Sequence, residues 1–288
     1  MMIDLHMHTK HSDGEFSAID MLKKCEEAGL EVISITDHDG CKAYYDFENI
    51  NVNDYYSGKI IKGVELTTIF EGRVIEILGY NIDHNVLQEF LSSYYTDEAK
   101  KERIDYCRNS TIDRLAKMGI VIDTSNLEDG VSFDVAIYNE IMNENNRDIL
   151  GDEILKSVKN FYRLGITNPN SPLFIDMSRF RPDPKFITDL IHRGGGIAFL
   201  AHPCQYAFDD KLKMIDDIRK VCDLDGIECY HSTFSKDEMD MLVKYANDNN
   251  LLISGGSDYH GRVKPDIFLG TGTNNNLCLE KEKISWLD

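Results

Sequence analysis

Two histidines, His6 and His8, stand two residues apart in the segment Asp4-Leu5-His6-Met7-His8-Thr9, and His11-Ser12-Asp13-Gly14 follows at once. On an extended strand, residues i and i+2 point to the same side, so the two imidazoles can grip one ion together. Asp13 adds a carboxylate from the next loop, although an aspartate beside glycine is also what an ordinary turn would show. A single His-x-His is a weak signal. Here the pattern recurs in Thr36-Asp37-His38-Asp39, in Glu65, in His202 between Ala201 and Pro203, and in Asp258 with His260, again two apart. Imidazole nitrogen with carboxylate oxygen suits zinc, iron or manganese, whereas an all-oxygen set suits magnesium or calcium. So many donors exceed the needs of one ion, and two or three divalent ions sharing a bridging carboxylate is the economical arrangement. Metals about 3.5 to 4 Å apart clamp a phosphoryl group and lower the pKa of a bound water. The expected chemistry is hydrolysis by a metal-activated hydroxide.

These groups need elements to position them. Ile3 to Leu5 leads into His6, Val32 to Ile35 into Thr36-Asp37-His38, and Ile60 to Val64 into Glu65. Ile197 to Leu200 leads into His202, Gly226 to Cys229 into Tyr230-His231, and Leu251 to Ser254 into Gly255-Gly256-Ser257-Asp258-Tyr259-His260; Arg73 to Leu78 reads as a further strand closed by Gly79. Polar groups at the C-terminal ends of successive parallel strands are how α/β barrels build active sites. Helical patterns lie between the runs. Ser17 with Asp20 and Ser235 with Glu238 resemble capping boxes, and Gly29 sits where a left-handed C-cap falls. From about Gln88 to Pro182 the rhythm changes to helices over Glu98 to Met118, Ser132 to Asn143 and Asp152 to Tyr162. The expected organisation is an α/β barrel over 1–87 and 183–288, with a helical insertion lobe over 88–182 acting as a lid or facing the substrate.

Composition narrows the class. The chain has 288 residues, 42% of them hydrophobic, and no apolar run approaches the roughly 20 residues that cross a bilayer. Seven scattered cysteines, none in a Cys-x-x-Cys pair, argue against a disulfide framework or zinc finger. No secretory signal is visible, so a cytoplasmic location is expected. A formal net charge of −19 disfavours duplex nucleic acid and anionic membrane as partners, which basic patches would bind. A phosphate-bearing ligand then needs local cations. Gly194-Gly195-Gly196 precedes a strand rather than following one, which excludes a dinucleotide loop.

Taken in order, Asp4-Leu5-His6-Met7-His8-Thr9, Ser12-Asp13-Gly14, Ile35-Thr36-Asp37-His38-Asp39, Gly63-Val64-Glu65, Leu200-Ala201-His202-Pro203, Gly226-Ile227-Glu228 and Gly256-Ser257-Asp258-Tyr259-His260-Gly261 strongly resemble the PHP family of polymerase and histidinol phosphatase domains. The resemblance spans nearly the whole chain and is closest to the stand-alone phosphoesterases acting on nucleotides or short oligonucleotides. It implies a distorted (β/α)7 TIM-like barrel, the PHP fold, with a metal cluster at the C-terminal face of the strands. It assigns one ion to His6, His8, Glu65 and Asp258 and a second to Asp13, His38 and His260. A third would share bridging Glu65 with His202 and a residue of the Arg73 to Leu78 strand. There the chain departs. Family members usually carry His-Ile-Leu-Gly, and this chain has Glu76-Ile77-Leu78-Gly79; Glu76 either supplies a harder ligand or leaves the third site empty. An Arg-Pro-His stretch that helps nucleotide-specific relatives bind phosphate is replaced by Val131-Ser132-Phe133-Asp134-Val135-Ala136, and a histidine common after the Gly-Ile-Glu strand is replaced by Phe234. These departures leave the metal chemistry but weaken the expectation of a nucleotide bisphosphate substrate.

Further candidates have plainer alternatives. Asp37 could orient ligand histidines. His231, at a strand end, could act as general acid or donate to a substrate oxygen, or be an ordinary loop histidine. His11 could touch a leaving group, and Arg179 and Arg181 could reach a phosphate or simply be solvated. His84 and His192 read as surface residues. The leading expectation is a zinc, manganese or iron phosphoesterase acting on a small phosphorylated substrate, nucleotide or short oligonucleotide. The alternatives are a related metallohydrolase cleaving a carbon–nitrogen or carboxylic ester bond and a non-catalytic metal-stabilised scaffold.

Overall fold

The computed structural model describes residues 2–123, 132–142, 144–277 and 279–287. Val131 and Asn143, named above, and one of the seven cysteines, Cys278, lie outside them. Among the described residues eight strands form two sheets: β1 (Ile3–Asp4), β2 (Val32–Ile33) and β3 (Lys59–Ile60) in one, and β4 (Gly63–Phe70), β5 (Arg73–Tyr80), β6 (Ile197–Leu200), β7 (Gly226–His231) and β8 (Leu252–Gly256) in the other. Within the first sheet the strands are parallel, as are β6, β7 and β8.

A closed seven-stranded ladder was expected, and the hydrogen-bonded strands do not form one. The run read as one strand over Ile60 to Val64 divides. Lys59 and Ile60 pair with β2, the chain passes through Ile61 and Lys62, and Gly63 opens β4 in the other sheet. The all-parallel pattern also breaks, because β5 runs antiparallel to β6. The cause is the two-residue turn before it: Glu71 and Gly72 both have positive φ, 47° and 75°, the primed geometry that reverses a twisted strand. Single parallel bridges link the two sheets, Met7 to Tyr259 beside β8 and His38 to Glu65 on β4.

The chain divides into two compact units. The first comprises residues 1–68, 75–94 and 183–288 and holds most of the strand residues. Its core joins Ile3, Leu5, Val32, Ile61, Leu78, Tyr80 and Phe199 with Leu279, Ile284 and Leu287 from the C-terminal segment. Helix α1 (Ala18–Glu27) starts where the Ser17 side chain accepts the Asp20 amide at 3.1 Å, and it buries Met21, Leu22 and Cys25. Such a cap contributes about 1 kcal/mol. Helix α2 (His84–Tyr94) carries a histidine that was expected at the surface but is buried against Tyr44 and Tyr45, with Lys62 Nζ 3.0 Å from its Nδ1.

The second unit, 69–74 and 95–182, has its own core around Cys107, Leu115, Ile137, Leu155, Phe161 and Leu173. Helices α3 (Asp97–Lys117), α4 (Phe133–Ile141) and α5 (Glu144–Leu150) supply it, and α3 gives way to Gly119 at φ 85°. The helix expected over Asp152 to Tyr162 is broken into a 3-10 turn (Ile154–Lys156), the short α6 (Val158–Asn160) and a π-helical turn (Phe161–Ile166). Ser157 explains the break: it is extended, and its hydroxyl accepts the Asn160 amide at 3.1 Å, restarting the helix. In the first unit, α7 (Pro184–Arg193) and α8 (Lys211–Arg219) precede β6 and β7, and α9 (Lys236–Asp248), begun by the Ser235–Glu238 capping box, precedes β8. No helix among the described residues is long and apolar enough to cross a membrane.

The close approach of β8 to the first histidine depends on Gly256. A Cβ there would lie 2.3 Å from the His6 backbone nitrogen. Gly256→Ala is expected to destabilise the protein by about 2 kcal/mol through overpacking, read as a lower thermal midpoint. An unchanged midpoint would mean that the backbone has room.

Candidate metal centre

The strand ends bring the predicted donors together around Glu65, which is fully buried. Its Oε2 lies 3.2 Å from His6 Nε2, 3.3 Å from His8 Nε2 and 3.2 Å from His38 Nδ1, and its Oε1 lies 2.9 Å from His202 Nε2. Asp258 Oδ1 faces the same two N-terminal imidazoles, 3.7 Å from His6 Nε2 and 3.3 Å from His8 Nε2. Asp13 forms a second neighbourhood, 3.1 Å from His260 Nε2, 3.8 Å from His8 Nδ1 and 3.9 Å from His38 Nε2. Glu76 reaches in from β5, with 3.4 Å to His202 Nε2 and 3.6 Å to His38 Nδ1. Its backbone is held by Tyr206, whose hydroxyl accepts the Glu76 amide at 2.8 Å. The cluster is shut in on most sides and opens at one edge: the Asp13 side chain is 53% exposed and that of His38 29%.

Burying so many charged groups requires a firm frame. Glu228 accepts from His6 Nδ1 at 2.9 Å and from the His202 amide at 2.7 Å. With Nδ1 committed as donor, His6 presents the lone pair of Nε2 to the cluster. His260 Nδ1 lies 2.8 Å from the Asp258 carbonyl, which fixes that ring in the same way. Two donors sit on left-handed backbone, His202 at φ 23° and Asp258 at φ 58°. Such strain persists where surroundings impose it. For Asp258 they include the Ser257 amide, 2.8 Å from the Asp4 carboxylate, and the Asp258 amide, which donates to the His6 carbonyl at 2.8 Å.

Asp37 acts on a different partner from the one expected. Its carboxylate accepts the Thr9 amide and hydroxyl, both at 2.7 Å, and the Ser12 hydroxyl at 2.6 Å. It therefore ties down the loop that carries Asp13 rather than orienting an imidazole. His231 is fully buried with Nε2 3.4 Å from Asp258 Oδ2, and the Thr233 amide donates to its Nδ1 at 3.1 Å. That bond leaves the imidazole proton on Nε2. Three predicted contacts are engaged elsewhere: His11 pairs with Asp46 at 2.8 Å, the Arg179 guanidinium stacks on Tyr106 and Phe180, and Arg181 donates to the Tyr95 hydroxyl at 3.2 Å. Arg179 and Arg181 both belong to the second unit.

Electrostatics describe a site built for cations. Burial disfavours protonated His8, but the Asp258 and Glu65 carboxylates outweigh it and raise the pKa to about 9. His6 is raised against burial by Glu65 and Glu228. Burial opposes ionisation of Glu65 and Asp258, yet His6 and His38 for the first, and Lys264 and His231 for the second, hold both well below the usual carboxylate range. Donor chemistry tests whether metal fits. Six buried atoms, His6 Nε2, His8 Nδ1 and Nε2, Glu65 Oε2, His202 Nδ1 and His260 Nε2, have no hydrogen-bond partner among the described residues. Donor atoms of His8, Asp13, His38 and His260 lie within 4.8 Å of one another, as do those of His6, His8 and Asp258, and those of His38, Glu65 and Glu76. Unpartnered buried imidazole and carboxylate atoms are costly alone and favourable around a divalent ion.

Three participants were quoted in the sequence motifs or passed over without being given a role: Glu228, Asp4 and Lys264. The signal for the first two was a carboxylate within an apolar run, Ile3-Asp4-Leu5 and Gly226-Ile227-Glu228.

The PHP domain model matches residues 4–194, about two-thirds of the sequence. The chain belongs to the PHP family. A 5'-3' exoribonuclease of Haemophilus influenzae is 30% identical to this PHP chain over 274 residues, covering 89% of each. A 3',5'-nucleoside bisphosphate phosphatase of Chromobacterium violaceum is 22% identical, covering 90% of this chain and 87% of its own. Among solved structures, an amidohydrolase from Chromobacterium violaceum with bound sulfate and no metal is similar in fold. It aligns at a TM-score of 0.65 and 21% identity over 91% of this PHP chain and 88% of its own.

Two outcomes follow for the PHP cluster. The raised His8 pKa contributes stability that is complete below its unfolded value of 6.5 and lost as pH rises through about 9, so metal-free protein should melt lower at pH 9.5 than at pH 6.5. A flat profile between those values would contradict the charge balance described. Glu228→Gln should weaken metal binding by about tenfold to a hundredfold by loosening His6, measured by competition with a chelator.

Proposed function

We propose that the chain is a divalent-metal phosphoesterase that hydrolyses the phosphate ester of a nucleotide, short oligonucleotide or small phosphomonoester. The observation that carries this reading is the set of buried, unpartnered imidazole and carboxylate atoms converging on Glu65 in a PHP-family chain. Two or three ions fit the donors. His6, His8, Glu65 and Asp258 would hold one, and Asp13, His38 and His260 a second. Glu65 through its other oxygen, with His202 and Glu76, would hold the third. When bound, such ions activate water as a nucleophile and neutralise charge on the phosphoryl group.

The chain's own residues supply the rest. Glu228 fixes the His6 tautomer, and Asp37 holds the Thr9–Ser12 loop so that Asp13 stays at the open edge. His231 keeps a proton on Nε2 beside Asp258, where it can be given to the departing oxygen. The formal charge of −19 favours a small phosphate ester or a short single strand over a duplex. His11, Arg179 and Arg181 would touch substrate only by leaving their present partners. The ladders and single bridges of the first unit support a distorted (β/α)7 barrel over 1–87 and 183–288, with 88–182 as the inserted lobe. The full site suits zinc, manganese or iron in the cytoplasm.

Purified protein supplied in turn with manganese, iron and zinc should hydrolyse phosphate monoesters or phosphodiesters and leave cyclic amides intact. Turnover of an amide with every phosphoester untouched would sink the reading. Replacing His6 and His8 together by alanine should abolish turnover with the far-ultraviolet circular dichroism preserved; a scaffold would instead lose stability and have no turnover to lose. Glu76→His should shift the bound metal toward zinc in elemental analysis, whereas unchanged content and preference would remove Glu76 from the ligand set.

A further inference from the structure

The centre described above is strongly anionic: Asp13, Glu65, Glu76 and Asp258 supply its oxygens, Glu228 stands behind them, and the chain as a whole carries a formal charge of −19. Bound divalent ions would offset that charge, and a non-bridging oxygen of the ester that they do not take is left for a side-chain cation at the edge of the site. One side chain in the first unit already touches the cluster with a cation. Lys264 Nζ lies 2.5 Å from Asp258 Oδ2, while the other oxygen of Asp258 faces His6 and His8. The lysine side chain is 37% exposed and its carboxylate partner 8%, so the ammonium stands between the buried cluster and solvent.

The base of this side chain is held by backbone hydrogen bonds, and its head reaches the cluster. The Lys264 amide donates to the Gly261 carbonyl and its own carbonyl accepts from the Ile267 amide, both at 3.1 Å. The neighbouring Arg262 is held by Glu15, its amide and Nε reaching the two carboxylate oxygens at 2.7 and 2.5 Å. Arg262 is thus committed away from the cluster, and Lys264 is not. An ammonium carries three donors on a flexible four-carbon stem, and Asp258 accounts for one of them.

We propose that Lys264 is a specificity-determining residue that binds a non-bridging oxygen of a terminal phosphate dianion on the substrate. The inference rests on the phosphoesterase reading and adds the class of ester preferred: one bearing a terminal, doubly charged phosphate. A purely structural lysine would serve only to neutralise Asp258, and the two roles separate experimentally.

The test uses the full chain reconstituted with manganese, comparing wild type with Lys264→Met and Lys264→Arg. Inorganic phosphate binding is measured by calorimetry, metal content by elemental analysis, and KM and kcat on a terminal phosphomonoester and on a phosphodiester without a terminal phosphate. Lys264→Met should weaken phosphate binding and raise KM for the monoester by about thirtyfold, the scale of one charge-assisted hydrogen bond. KM for the diester should rise far less, metal content should stay at the wild-type level, and Lys264→Arg should recover most of the loss. Unchanged phosphate affinity, an equal rise in KM for both esters, or loss of metal from Lys264→Met would each overturn the assignment. If wild type cleaves no phosphoester, the phosphoesterase reading fails instead, and the calorimetric comparison still reports on Lys264 alone.

Discussion

One buried carboxylate sets the terms for the first unit. Glu65 has no exposure to water and stands within 3.3 Å of imidazole nitrogens from His6, His8, His38 and His202, contributed by three separate stretches of chain. An isolated carboxylate in such a place would take up a proton or force the structure open. Surrounding it with imidazoles keeps it ionised, and the same attraction draws protons onto His6 and His8 that a divalent ion would displace. The backbone follows from this demand: His38 bridges to Glu65 in register, with the Asp39 amide on the Glu65 carbonyl at 2.8 Å and the Glu65 amide on the Asp37 carbonyl at 3.2 Å.

A second group of buried acids performs the framing. Asp4 takes the amides of Ser257 and Gly270, both at 2.8 Å; Glu228 takes His6 and the His202 amide; Asp37 takes Thr9 and Ser12. Each uses backbone or hydroxyl donors to satisfy a charge that burial would otherwise penalise. Each also links two strands or loops that carry donors. Burial raises the Asp4 pKa, because its backbone donors offset desolvation only in part. Stability and site geometry thus rest on the same bonds.

The amino-acid sequence made the donors legible because they follow short β-branched runs, and the metal-type chemistry was readable from residue type alone. The split of Ile60 to Val64 between two sheets was not, since the run looks continuous; only the crowded surroundings of Gly63, where a Cβ would meet Ser34 Oγ at 2.3 Å, betray the crossing. The roles of Asp4, Glu228 and Asp37 were hidden for a related reason. A carboxylate in a strand announces a special position but not which nitrogen it faces, and the partners of Glu228 and Asp4 lie up to 266 residues away in sequence. His84 was misplaced because Tyr44 and Tyr45 close over it from a segment whose 3-10 turn carries no strong pattern.

Those long separations have a consequence for how the centre comes into being. The Ile3 amide donates to the Leu279 carbonyl, Asp4 receives amides from Ser257 and Gly270, and Met7 bridges to Tyr259. The first histidines made are therefore among the last to be seated, since their frame comes from segments synthesised some 250 residues later. Pairing across such loops is slow to form and gains nothing until it is nearly complete. Until those segments dock, the imidazoles have no frame, so the centre is complete only when the two ends of the chain have come together.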